Sequence, residues 1–99
     1  MTKQELVQRM QENQAWVAGK TVKLDFGDEG VILLDGANQK VSEEDGVADT
    51  TIKTAWEDWQ KMADGELDGM TAFMTGKLKI EGDMSNAMQL QGVLQKLRG

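Results

Sequence analysis

The sequence predicts a single α+β domain, and three observations carry that prediction. Its first residues fall into a helical stripe, its middle alternates with a period of two, and its last third returns to helical spacing around one further alternating segment. Ninety-nine residues make one domain at the lower end of the usual size range, with enough chain to hold one core without covalent staples.

Thr2-Lys3-Gln4-Glu5 has the form of a capping box, and Leu6, Val7 and Met10 then share a face, so a helix is expected from about Lys3 to about Glu12. Val22, Leu24 and Phe26 alternate with Thr21, Lys23 and Asp25, the pattern of a half-buried strand. Gly27 to Gly30 supplies a turn, Val31 to Leu34 a short apolar strand, and Asp35-Gly36 a second turn. Lys40 to Ser42 reads as a brief third strand of an antiparallel meander, followed by the acidic loop Glu43 to Gly46. Ala48, Thr50, Ile52 and Thr54 alternate in a fourth strand rich in β-branched residues.

Thr54-Ala55-Trp56-Glu57 repeats the capping-box pattern, so a helix should begin as this strand ends, with Trp59 and Met62 on its inner face. Asp68 is placed to cap a short helix carrying Met70, Phe73 and Met74 at i, i+3, i+4 spacing, and Gly76 to end it. Lys77 to Glu81 is a fifth strand with Leu78 and Ile80 inward. Gly82 turns, Asp83 caps, and a final helix presents Ala87, Leu90, Leu94 and Leu97, flanked by Met84 and Met88.

Eleven Lys and Arg against 17 Asp and Glu leave a net charge of −6, with no histidine. Nucleic-acid affinity rests on clustered cations, so no nucleic-acid partner is expected. The same balance argues against tight docking on anionic membranes, leaving at most transient membrane contact. No apolar run approaches the roughly 20 residues that span a bilayer. The polar start MTKQELVQRM lacks the apolar stretch of a signal peptide, so the expected address is cytoplasmic. Absence of cysteine removes thiolate and zinc-thiolate chemistry, and absence of histidine the commonest general base.

Asp64-Gly65-Glu66-Leu67-Asp68-Gly69 has carboxylates at positions one, three and five of a calcium loop and glycine at six. Thr75 stands where the bidentate glutamate belongs, so an acidic, helix-capping turn is the stronger reading. Gly76-Lys77 resembles the end of a phosphate-binding loop, but Thr71 and Leu78 occupy its defining positions. Asp25, Asp28 and Glu29 read as solvated charge at a surface turn. No nucleophile, triad or acid–base pair can be assembled, so neither a catalytic residue nor a cofactor nor a metal is expected.

Five of the seven methionines lie between Met62 and Met88. Methionine is flexible and polarizable, and suits surfaces that adapt to varied apolar partners. On composition alone, a lipid carrier and a plain interaction domain stand level.

The stretch Gly69 to Asp83, followed by Ala87 and Leu90, resembles the C-terminal half of the sterol carrier protein type 2 family. That family shows alanine and phenylalanine (here Ala72 and Phe73) before a Gly-Lys-Leu strand (Gly76, Lys77, Leu78), then Gly-Asp (Gly82, Asp83) opening the last helix. The likeness runs from about Trp56 to Leu97, and the first fifty residues fit by their order of elements. The resemblance implies a five-stranded, mainly antiparallel sheet covered on one face by helices, with an apolar tunnel between the layers. It implies non-catalytic binding or transfer of a fatty acid, acyl-coenzyme A, sterol or phospholipid, with an enzyme of lipid metabolism as a candidate partner. The alternative is an accessory protein-interaction domain that keeps the fold with a collapsed cavity.

On that reading Leu24, Phe26, Ile32 and Ile52 line the ligand space from the strands. Trp59, Met62, Phe73 and Met74 line it from the middle helices, and Met88, Leu90 and Leu94 from the last. An empty cavity of roughly 300 Å³ would cost about 7 kcal/mol, against about 5–15 kcal/mol for the whole stability of such a domain. A ligand, or flexible side chains, must therefore fill the space.

Overall fold

The computed structural model describes residues 2–98, the side chains of residues 63 and 94–98 excepted. Thr2 accepts a hydrogen bond from the Glu5 amide at 3.2 Å and opens α1 (Lys3–Glu12), which buries Leu6 and Met10. Strands β1 (Thr21–Asp25), β2 (Val31–Asp35) and β3 (Lys40–Ser42) form the expected meander. They are followed by β4 (Thr50–Thr54), α2 (Trp56–Ala63), α3 (Gly69–Met74), β5 (Leu78–Gly82) and α4 (Met84–Arg98).

All five strands share one sheet in the order β3-β2-β1-β4-β5. Every pair is antiparallel except β1 and β4, which run parallel with Leu24 opposite Ile52. The fourth strand thus does not extend the meander. Residues 43–49 carry the chain back across the sheet face opposite the helices. Lys23 meets Asp45 at 2.8 Å there, and Asp49 both accepts from the Thr21 amide at 2.9 Å and donates its own amide to the Thr21 carbonyl. These contacts deliver β4 to the free edge of β1, pointing the same way.

The pleat then sorts the side chains. Val22, Leu24, Ile32, Leu34, Val41 and Ile52 are buried on one face, and that face receives α1, α2 and α4. Strand β5 is more open, with Leu78 and Ile80 only half-buried against the core.

Two sequence expectations need correction. Thr54 does not cap α2: the N-cap is Ala55, without a side-chain hydrogen bond, and Thr54 is buried. A strand residue whose side chain points into the core cannot also fold its hydroxyl over the helix that follows. The stripe on α3 is also rotated. Ala72 is its buried residue, while Met70, Phe73 and Met74 are exposed. A helix of six residues makes under two turns, and alanine lets it lie close along β5. Its end is a Schellman closure, in which the Lys77 amide bonds to Ala72 and the Gly76 amide to Phe73, with Gly76 at φ +80°.

Candidate functional site

The space between sheet and helices is built from apolar side chains with a few polar atoms enclosed. Phe26, just past β1, is the centre of an aromatic group. Its ring meets Trp56 edge-on at 5.0 Å and Trp59 at 5.7 Å, so α2 is held to the sheet by two indoles on one phenyl ring. At the other end of β4, Thr50 donates its hydroxyl to the Asp83 carbonyl at 2.7 Å and accepts from the buried Asn86 amide at 3.2 Å. That chain fastens the start of α4 to the sheet, and Ala87 and Leu90 complete the contact.

Leu24, Phe26, Ile32, Ile52, Trp59 and Leu90, all expected to face the interlayer space, are buried together, and Met62 packs against them half-buried. Phe73, Met74 and Met88 are not brought there. Met74 is 79% exposed and Met88 64%. Met88 lies about 100° around α4 from Ala87 and 200° from Leu90, so the face that buries those two turns it outward. The expected positions of the Leu94 and Leu97 side chains lie outside the described residues.

Sequence reasoning missed three polar groups of this layer. Asn86 is buried and its inward position was readable, since it stands four residues before Leu90. Thr54 Oγ1 and Trp59 Nε1 are buried without a hydrogen-bond partner. Their alternation and stripe placed both side chains inward, but nothing in the sequence shows that they would be unsatisfied. The carboxylates singled out at surface turns have local roles. Asp25 accepts from the Gly27 amide, and Asp68 caps α3 through the Thr71 amide. A shallow groove along α1 is lined by Glu5, Gln8, Arg9 and Glu12, too polar to hold a lipid chain.

The architecture is an α+β sheet with one apolar face covered by helices. The SCP-2 sterol transfer family model matches residues 3–95, and the chain belongs to that family. Bovine sterol carrier protein 2 is 40% identical over 70 residues, covering 68% of this chain and 13% of the bovine protein. Mouse stomatin-like protein 1 is 38% identical over 56 residues, covering 57% of this chain. The chain therefore spans only about a seventh of these relatives, 14% and 13% of their lengths. Among solved structures, sterol carrier protein-2 from Aedes aegypti in complex with palmitate superposes with a TM-score of 0.74 at 16% identity, covering 91% of each chain.

Proposed function

We infer that this chain binds and transfers a lipid-like molecule without catalysing a reaction. The observation that carries the reading is the family match over residues 3–95, which takes in every strand and all but the end of α4. On this reading the ligand enters between the inner sheet face and α2 and α4, and the apolar side chains Leu24, Phe26, Ile52, Trp59 and Leu90, packed together there, support it. Fatty acids, acyl-coenzyme A thioesters, sterols and phospholipids are the candidate ligand classes, and palmitate bound to the Aedes relative makes a long-chain acid the first probe. Among the described residues no helix is long and apolar enough to cross a membrane; transient membrane contact and a cytoplasmic address belong to the proposal and rest on the acidic charge balance and the polar first residues.

Mass spectrometry of organic extracts from the purified protein should recover an apolar compound. A ligand that binds only the folded state stabilises it by about 2.7 kcal/mol at a hundredfold excess over Kd. At roughly 4–8 °C per kcal/mol for a domain of this size, the melting midpoint should rise by on the order of 10 °C. The curated relatives are much longer chains, of which this one covers 13–14%, and that gives the second reading its support. There the fold serves as an accessory interaction domain with a closed core. Acyl chains of several lengths and a sterol that all leave the midpoint unmoved would establish that second reading.

A further inference from the structure

Thr54 and Trp59 are each more than nine-tenths buried, and both end in a hydrogen-bond donor that reaches no partner. Both border Phe26. Continuing the parallel β1–β4 register by one residue sets Thr54 beside Phe26, the ring on which Trp59 rests. Thr54 also pairs with Leu78 across β4 and β5. A buried polar group without a partner costs about 1–3 kcal/mol, so two such donors bordering one ring point to an acceptor that binds between them. Above them α2 starts without a side-chain cap, which leaves the Thr54 hydroxyl uncommitted to the helix.

We propose that Thr54 Oγ1 and Trp59 Nε1 are the polar clamp for the ligand's head, and that it takes a neutral acceptor, an ester carbonyl or an alcohol oxygen, in preference to a carboxylate. The proposal rests on the carrier reading and names the ligand class. Two neutral donors satisfy the two lone pairs of one uncharged oxygen. They do not offset the desolvation of a buried carboxylate, which costs several kcal/mol unless a cation meets it. The lysines nearest in the fold are turned away from the clamp: Lys53 pairs with Glu81 at 2.9 Å on the opposite face, and Lys61 and Lys77 are exposed. Glu57 and Asp58, in the first turn of α2, add negative potential beside it.

The test compares methyl dodecanoate, dodecan-1-ol and dodecanoate at pH 8, below their aggregation limits, by tryptophan emission and melting midpoint. The wild-type chain should bind the ester and the alcohol about tenfold more tightly than the carboxylate. Thr54→Val keeps the shape and removes the donor, so it should weaken the ester and alcohol about fivefold and leave dodecanoate unchanged. Thr54→Ser should retain the preference. Without ligand, Thr54→Val should melt no lower than wild type, because it deletes an unpaired hydroxyl. A lower ligand-free midpoint in the valine variant, with the serine variant unchanged, would mean that ordered water already satisfies the hydroxyl and would overturn the clamp. Equal binding of all three probes, indifferent to Thr54, would overturn it while leaving the carrier reading intact. Binding of none would remove the carrier reading itself.

Discussion

The two ends of the sheet are finished differently. Strands β1 and β2 bury alternate residues completely: Val22, Leu24, Ile32 and Leu34 have no exposed surface. Strand β5 has no fully buried residue, and the helices that border it display Met70, Phe73, Met74, Met84 and Met88 to solvent. The same residue type makes the contrast plain, since Met10 on α1 is sealed in the core and Met74 on α3 is nearly free. One end of the domain is a closed wedge whose packing sets stability. The other is an apolar rim whose side chains contribute little to the closed core and remain free to rearrange.

The largest effect that tests this contrast is a cavity in the closed end. Leu24→Ala removes a side chain at the junction of β1, β2 and β4, and should cost about 2–5 kcal/mol, lowering the melting midpoint by at least roughly 10 °C. Leu78→Ala, at the half-buried edge, should cost less than half as much in the same thermal scan. Equal losses would show that β5 is as firmly packed as β1.

Gly82→Ala probes how the open edge is attached. Gly82 has φ +91°, and a Cβ there would press into the Asp49 carbonyl and lie 3.2 Å from Thr50 Cα. Both the dihedral and the close approach demand glycine, so the variant should lose about 1–3 kcal/mol. Urea unfolding would measure it. A neutral outcome would mean that β5 shifts away from β4 at little cost.

The contrast also shows what the sequence could reveal. Period-two alternation placed Val22, Leu24, Ile52 and Ile80 on one face because a one-residue slip would expose the whole set. Asp68, Gly76 and Gly82 were legible because caps and left-handed turns depend on local chemistry. The parallel β1–β4 pairing was not legible, because it is set by contacts of the 43–49 connection with Lys23 and Thr21, distant in sequence. The outward turn of Met70 and Met74 was also hidden. An i, i+3, i+4 stripe on a helix of six residues does not outweigh a small residue that seats the helix more closely. The unsatisfied Thr54 and Trp59 donors emerge only when tertiary packing removes their water.

Acid should reach both ends through their carboxylate caps. Asp35, in the β2–β3 turn, has its pKa held below the ordinary 3.8 by hydrogen bonds from the Asn38 side chain and amide. Asp83, at the start of α4, is likewise lowered by the Ser85 hydroxyl and amide, at 2.6 and 2.9 Å. A lowered folded pKa means that stability is fully present above the unfolded value and is lost as pH falls through the folded one. The melting midpoint should therefore decline as pH drops below about 4. Ser85→Ala should reduce the part of that decline owed to Asp83. An identical acid profile in the variant would place the sensitivity elsewhere.

The smallest expected effect is the most telling. Met74→Gln and Met88→Gln exchange a thioether for an amide of similar size at positions 79% and 64% exposed. Away from packed or hydrogen-bonded features, surface substitutions stay within about 0.5 kcal/mol, so each melting midpoint should move by no more than roughly 2–4 °C. Met10→Gln makes the same exchange at a fully buried site, where an amide without partners costs about 1–3 kcal/mol. The three variants form one experiment in which chemistry is constant and only location changes. The ligand-induced rise in midpoint should survive in Met74→Gln and Met88→Gln, because neither side chain reaches the interlayer space in this conformation. If Met88→Gln keeps its ligand-free stability and loses most of the ligand-induced rise, α4 must turn Met88 inward when ligand enters. The apolar rim would then be part of the binding site, held outside until the lipid arrives.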